Sequence, residues 1–362
     1  MVPDSPARPG GRPFRLATRG SPLALWQAER VASLLRTAHG GLMVETVVVQ
    51  TRGDLLAEAR LDRIGGQGAF SKEVQAAVLA GEADAAVHSA KDLASEAPDG
   101  LCLGAVPERG DPRDALVGCT LADLPPGATV ATGSARRRAQ LANLRPDLRF
   151  TELRGNIGTR LARMEARSVH ALVVARAALD RLGWAGRAAD SLPPAVMLPQ
   201  VGQGTLAVEC RQDDAVARSL LAAIDDEGLH RTLRAERALL RSLAGNCSVP
   251  VAGLARPVTP DGSGAAEGPL HLEGPLHLEG PLHLEGPLHL EGMVASGDGR
   301  VLVRAGLDGR DPESLGRALA RHLLEECGGA SIEGWTAGVA AVNGGGVDGA
   351  AVDSSSGGDR RP

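Results

Sequence analysis

Leu243-Ala244-Gly245-Asn246-Cys247-Ser248-Val249-Pro250 sets a cysteine between two small polar residues, just after a glycine. It follows a helical pattern from Leu229 to Leu243 and precedes a strand pattern at Val249. The thiol therefore belongs on a loop, open to covalent chemistry. A lone cysteine reads as a chance free thiol. Its setting changes that reading, because the chain also supplies an acid and a set of placed arginines. The acid is Asp92, in Ser89-Ala90-Lys91-Asp92, which follows the apolar run Ala83 to His88. In open α/β sheets that carboxyl end of a strand is where ligands bind. By itself Asp92 reads equally well as a helix N-cap.

Twice, a strand pattern ends in a glycine-containing turn that opens a helix flanked by arginines. Thr129-Val130-Ala131 runs through Thr132-Gly133-Ser134 into Ala135-Arg136-Arg137-Arg138. Arg149 to Leu153 runs through Arg154-Gly155-Asn156-Ile157-Gly158-Thr159 to Arg160. Free backbone N–H groups, the positive helix end and guanidinium forks together make an anion site, for carboxylates as well as phosphates. Arg19, after the strand ending at Thr18, and Arg181, on the helix after the strand His170 to Ala175, aim at the same region. A cleft lined this way suits a polycarboxylate.

The positioning elements are those of α/β units. Ser21-Pro22 caps a helix whose apolar face is Leu23, Trp26, Val31, Leu34 and Leu35. Met43 to Gln50 is a strand. The glycine-rich loop Ile64 to Gly68 leads to a helix from Ser71 to Ala80, stopped by Gly81. A second unit starts near Asp111. Leu198 to Gly204 reads as a crossing segment into a buried strand, Thr205 to Glu209. Helices over Asp213–Ile224 and Leu229–Leu243 follow. From Val249 to about Trp335 the pattern is an antiparallel sheet with one helix, Pro312 to Glu326. Within it, Gly-Pro-Leu-His-Leu-Glu occurs four times in tandem from Gly268 to Glu291. Its Leu-His-Leu alternation suits a strand and its Gly-Pro pairs break one. It reads as an expansion of one strand entry, not as a metal tract.

Composition narrows the classes. The chain of 362 residues is 43% hydrophobic with a net charge of −5, which gives no sign of a nucleic-acid partner. No apolar run is long enough to span a bilayer. Met1 to Pro13 lacks an apolar core and reads as a disordered leader, not a secretory signal. The five cysteines are scattered, with no CxxC pair, so no metal site or disulfide framework is expected and a reducing cytoplasm fits. Cys102 and Cys210 fall in apolar runs and read as structural. Of 39 basic residues only Lys72 and Lys91 are lysines, so placement, not abundance, gives an arginine meaning.

The chain resembles the porphobilinogen deaminase (hydroxymethylbilane synthase) family. The matching stretches are Ala17 to Ala28, Thr51-Arg52-Gly53-Asp54, Ala86 to Asp92, Asp111-Pro112-Arg113-Asp114-Ala115, Leu153 to Leu161, Val201-Gly202-Gln203-Gly204 and the Cys247 loop. They keep the family's order over about residues 14 to 255. The resemblance implies two periplasmic-binding-protein-like, doubly wound domains and a smaller α+β domain with an antiparallel sheet. The expected division is domain 1 over 14–107 and 202–224, domain 2 over 108–201, and domain 3 over 225–336, with a disordered tail over 337–362. It also implies a dipyrromethane cofactor, joined through a thioether to Cys247. Porphobilinogen units are added to it head to tail, each losing ammonia, until the linear tetrapyrrole is released by hydrolysis. Asp92 matches the family's catalytic aspartate. Lys91, Ser89, Thr132, Ser134, Arg136, Arg137, Arg154, Gly155 and Gln203 match cofactor-binding positions. Arg19, Ser21, Arg154, Arg160 and Arg181 match substrate-binding ones. The implied partners are porphobilinogen and linear pyrrole chains, and the implied state is a cytoplasmic monomer.

The chain departs from the pattern at Gln67, where some members carry a lysine, and at Asn246, where a glycine often precedes the cysteine. Arg63 keeps its charge. Two other readings compete. One is a non-catalytic, two-lobed anion-binding protein. The other is a cysteine hydrolase, which needs a histidine near Cys247 and has only His88 to offer from a matching motif.

Overall fold

The computed structural model describes residues 11–51, 71–166, 169–243, 250–258 and 286–332. In chain order its strands and α-helices are β1 (Phe14–Arg19), α1 (Pro22–Ala38), β2 (Val44–Val49), α2 (Lys72–Leu79), β3 (Ala85–Ser89), β4 (Leu101–Ala105), β5 (Asp114–Val117), β6 (Thr129–Ala131), α3 (Ala135–Leu144), β7 (Arg149–Thr151), α4 (Ile157–Glu165), β8 (Ala171–Ala175), α5 (Arg176–Arg181), β9 (Ala188–Leu192), β10 (Leu206–Arg211), α6 (Ala215–Ala222), α7 (Glu227–Leu243), β11 (Val251–Pro257), β12 (Leu288–Ala295), β13 (Leu302–Gly309) and α8 (Pro312–Arg321). They form three sheets, ordered β2-β1-β3-β10-β4, β7-β6-β8-β5-β9 and β11-β12-β13.

The first sheet shows why β3 reads as a continuous apolar run. Its residues alternate between faces, and both faces are covered. Ala85 and Val87 join Phe14 and Leu16 under Val31, Ala32 and Leu35 of α1. Ala86 and Ala17 pack under Val74 and Val78 of α2. Strands β1, β2 and β3 are parallel, whereas β10 runs antiparallel between β3 and β4. In the second sheet β6, β7 and β8 are parallel and β5 runs against both β8 and β9. The α/β class expected from the sequence is thus observed, with one antiparallel strand in each sheet, β10 in the first and β5 in the second, that periodicity alone did not show.

The third sheet is fully antiparallel. Its middle strand, β12, is built from the fourth copy of the hexapeptide. Leu288 and Leu290 enter the core with Leu239 of α7 and Leu319 of α8. His289 points the other way and meets Asp308 at 2.6 Å. Gly292 keeps the helices close, since a Cβ there would lie 3.0 Å from Leu319 and Leu323. The other three copies, the Gly-rich loop and the tail lie outside the described residues. Arg12, which the sequence reading placed in a disordered leader, instead donates to both oxygens of Asp84 at 2.9 and 3.0 Å. Asp84 is buried and Arg12 supplies much of its charge compensation, which ties down the chain before β1.

Two segments connect the first and second sheets, and they run side by side. Gly110 N donates to Gly204 O at 3.0 Å, and Leu206 N to Glu108 O at 3.0 Å. Gly204 has φ +85°, and a Cβ there would come within 2.4 Å of Gly110 O, so only glycine lets the two backbones approach. A buried ion pair fixes both segments to the third sheet. Arg109 Nη1 donates to Glu236 Oε1 at 2.7 Å, and Arg109 Nε to Gln203 O at 3.2 Å. The Glu236 carboxylate also accepts from Gly202 N at 2.7 Å and from Ala255 N at 2.9 Å. Truncating one partner of such a pair leaves an uncompensated buried charge. Glu236→Ala should therefore lower unfolding stability by ~3–5 kcal/mol, read from the urea midpoint at unchanged slope. A loss under ~1 kcal/mol would show that the ion pair does not fix the crossing.

Candidate functional site

Asp92 closes a single 3₁₀ turn, Ala90–Asp92, directly after β3. No α-helix follows, so the N-cap reading of Asp92 does not apply: Leu93, next in the chain, is extended. The side chain is half-buried and accepts no hydrogen bond among the described residues. It lines a concavity of about 50 Å³ with Arg19, Ser21, Gln27, His88 and Ser89. Local structure sets these neighbours. Ser21 Oγ caps α1 by accepting from Ala24 N at 3.3 Å. Gln27, on the next turn of α1, donates to Ser89 Oγ at 2.7 Å. His88, at the end of β3, lies 3.3 Å from Glu209 Oε2, and Gln75 donates to the same oxygen at 2.7 Å. Burial opposes the Glu209 charge, but His88 and Gln75 outweigh it and hold the carboxyl below its usual range.

Across the crossing segments, Asp114 at the start of β5 is completely buried. Its carboxylate accepts hydrogen bonds from Arg137 Nε and Gln203 Nε2, each at 2.9 Å, and forms an ion pair with Arg136 Nη2 at 2.8 Å. Burial pushes this carboxyl up, yet Arg136 and Arg137 dominate and bring it to about 2. Arg136 also donates to Leu198 O at 2.7 Å and Arg137 to Val173 O at 3.1 Å. Both arginines sit on the first turn of α3, whose cap is Ser134 Oγ, accepting from Arg137 N at 3.4 Å. Thr132 Oγ1 in turn accepts from Ser134 N at 3.2 Å.

Gln203 carries this arrangement toward Asp92. Its side-chain oxygen accepts from Lys91 Nζ at 3.4 Å. The Lys91 amine is lowered to about 8, first by burial and then by the Arg137 charge, with Asp92 acting in the opposite sense. Arg160, on α4, is lowered to about 10 by burial and by Arg137, again against Asp92. Its Nε is buried without a hydrogen-bond partner among the described residues. Lys91, Arg136, Arg137 and Arg160 are thus four cations that act on one another, against the two carboxylates Asp92 and Asp114. Such a group is an anion site by excess charge.

The remaining expected residues fall as follows. Arg181 donates to Gly204 O at 2.8 Å and lies 5.3 Å above the Trp26 ring, with Glu108 at 3.4 Å. Burial lowers its pKa, against the Glu108 charge. Arg154 donates to Glu152 at 3.1 Å. Gly155 has φ +98°, at a turn tightened against Thr159. Arg19 borders the Asp92 concavity, and Arg136, Arg137, Lys91 and Gln203 converge on Asp114. Cys247, Asn246, Arg63 and Gln67 lie outside the described residues. Sequence reasoning missed the roles of Gln27 and Asp114. Both lie in stretches it singled out, but their partners are distant in the chain. Among the described residues no group of three or more His, Cys, Asp or Glu could hold a metal ion.

A family profile described as "Porphobilinogen deaminase, dipyromethane cofactor binding domain" matches residues 14–219. A second, "Porphobilinogen deaminase, C-terminal domain", matches residues 230–325. The chain is 43% identical over 326 residues to a protein named porphobilinogen deaminase from Syntrophomonas wolfei subsp. wolfei, covering 89% of this chain and 98% of that one. It is 50% identical over 246 residues to one of the same name from Xanthomonas oryzae pv. oryzae (strain PXO99A), covering 67% and 81%. Among solved structures, a YaeC-family lipoprotein from Enterococcus faecalis V583 aligns at 13% identity and a TM-score of 0.37, over 60% of this chain and 92% of that one.

The chain has only two lysines, so the Lys91 titration can be observed directly. After reductive ¹³C-methylation, the signal lost in Lys91→Arg should titrate near pH 8, below the ordinary lysine range. Because the folded pKa lies below the usual 10.5, the charged amine opposes folding most strongly below about pH 8, and that opposition fades as pH rises toward 10.5. A Lys91 midpoint near 10 would remove the cation crowding inferred around Arg137.

Proposed function

The chain belongs to the porphobilinogen deaminase family, and from that premise we propose that it joins four porphobilinogen molecules head to tail. Each joining step releases ammonia. Growth occurs on a dipyrromethane held by a thioether to Cys247, and the linear tetrapyrrole hydroxymethylbilane leaves by hydrolysis. The enzyme is a transferase of tetrapyrrole biosynthesis. One observation carries the reading: the excess of cations around Asp92. Each pyrrole unit brings an acetate and a propionate, so a growing chain gains two negative charges per step. Lys91, Arg136, Arg137 and Arg160 offer the opposite charge in one place.

The residues fit the cofactor. The Nε of Arg160, buried and unpartnered among the described residues, has a donor to give a carboxylate. Thr132, Ser134, Arg154 and the glycine turn at Gly155 border helix starts that favour anions. A bound dipyrromethane supplies the pyrrole carbon at which the chain grows. Asp92 serves as the catalytic carboxylate. With no hydrogen bond from the described residues to satisfy it, its charge is available to steady the positive charge that develops as ammonia departs. Lys91 and Gln203 orient the cofactor side, while Arg19, Ser21, Arg160 and Arg181 hold incoming carboxylates. Arg136 and Arg137 pair with Asp114 and add their charge to the same cation cluster, while Gln203 ties Asp114 to Lys91.

The domain division given by the sequence, a monomeric state and a cytoplasmic location belong to the same proposal. Support for the location comes from cysteine usage, and among the described residues no helix is long and apolar enough to cross a membrane. A non-catalytic binding protein is not favoured, because a relative named porphobilinogen deaminase, 43% identical, covers 89% of this chain.

Intact mass tests the anchor. Wild type should carry an adduct of two pyrrole units that Cys247→Ser lacks, and equal masses apart from the substituted atom would overturn the assignment. Asp92→Asn should keep the adduct yet lose turnover by ~10²–10³-fold, since a neutral amide cannot stabilise a cation comparably. Turnover near wild type would exclude Asp92 from the chemistry.

A further inference from the structure

Cys102 on β4 and Cys210 on β10 face each other as direct cross-strand partners. Their sulfurs lie 3.9 Å apart. Directly opposed residues of antiparallel strands have Cα atoms about 4.5–5.5 Å apart, inside the range a disulfide requires. Closing the gap to about 2.05 Å needs side-chain rotation and no strand movement. Gly104 sits where β4 bulges against Val208 and Glu209, and a Cβ there would lie 3.0 Å from Cys210 Sγ. The two thiols are unequal. Cys102 is partly exposed, whereas Cys210 is fully buried.

We propose that Cys102 and Cys210 form an oxidisable dithiol, a modification site for small hydroperoxides, with Cys102 as the attacking thiol and Cys210 as the resolving one. The Cys102 thiolate attacks one peroxide oxygen and the O–O bond breaks. Cys102 becomes a sulfenic acid, and the leaving hydroxide takes a proton to give water. The Cys210 sulfur then displaces the second water, so that S–S forms as S–O breaks. Two thiols lose two electrons and two protons, and one peroxide becomes two waters. The acidities point the same way. The hydrogen bond from Cys210 and the charge of Arg218 pull Cys102 below the usual thiol range, with burial and Glu209 opposing, while the same contact and burial raise Cys210. Access follows the same order, because a peroxide reaches the partly exposed sulfur first.

The location gives the bond a mechanical meaning. The chain leaves the first sheet after β4 and returns in β10, so the disulfide would enclose the whole of the second sheet in one covalent ring. It also lies away from the reacting groups. Leu206 pairs with Ser89 next to the Asp92 turn, whereas Cys210 pairs with Ala85 at the opposite end of β3. The inference is therefore independent of the assigned activity, and failure of either leaves the other standing.

The test uses the full-length protein with its cofactor, reduced, desalted and exposed to a small excess of hydrogen peroxide, then alkylated and digested. The expected product is a linked Cys102–Cys210 peptide pair, two hydrogens lighter and reversed by dithiothreitol. It should form about tenfold faster than oxidation of exposed Cys327. Cys210→Ser should instead yield a Cys102 sulfenic acid that dimedone traps, and Cys102→Ser should yield neither product. The proposal is overturned if Cys210 remains alkylatable after Cys327 has oxidised, or if Cys210→Ser gives no dimedone adduct.

Discussion

A carboxylate without water must be met by charge, and Asp114 is the place where this requirement organises the molecule. It has no exposure to solvent and takes hydrogen bonds or ion pairs from Arg136, Arg137 and Gln203. Those partners come from the first turn of α3 and from the crossing segment. Satisfying one anion thus fixes a helix start, the edge of β5 and the return path of the chain. It also explains why two arginines can stand side by side in a buried position, since each offsets the same charge. Such clusters are weak grounds for stability, because desolvation opposes the attraction. Their contribution here is geometric: Gln203, held at one end by Asp114, presents its other end to Lys91.

Glu236 plays the matching part for the third sheet. One carboxylate joins Arg109, Gly202 N and Ala255 N, so the crossing segment, the root of β5 and β11 meet at a single charge. The α7 helix that carries Glu236 runs on to Leu243, where the chain approaches the cysteine loop. Position of the third sheet and position of Gln203 therefore depend on neighbouring bonds. A shift at one is felt at the other without any long chain of contacts.

Much of this was legible in the sequence, and the limits have physical causes. The apolar run ending at His88 gave β3 and placed Asp92 at its carboxyl end, because a strand covered on both faces must be apolar throughout. The helix after Ser134 was read at Ala135, where Ser134 caps it, whereas the second helix starts at Ile157, capped by Asn156, inside the turn that the sequence reading carried on to Arg160. What the arginines do was harder to read. Arg137 finds Asp114 from 23 residues away, and no local spacing encodes that pairing. The sequence therefore suggested a ligand-facing role for the whole arginine set, and the structure adds that Arg136 and Arg137 also pair with a protein carboxylate. Strand direction was hidden for the same reason. That β10 runs antiparallel to β3 follows from the path through the second sheet, not from the alternation of its side chains.

The tandem hexapeptide has a consequence for inheritance. Identical repeats of coding sequence expand and contract readily, and a strand built from one copy could be exposed to that drift. Here β12 is protected by its own ending. A six-residue slip would put Pro287 in the slot of Met293, in a middle strand where each N–H faces a neighbour, and His289 in the buried slot of Ala295. Six is also even, so gaining or losing a whole unit upstream keeps the inward and outward faces in step. The gene can lengthen or shorten at this point while the sheet keeps a single register.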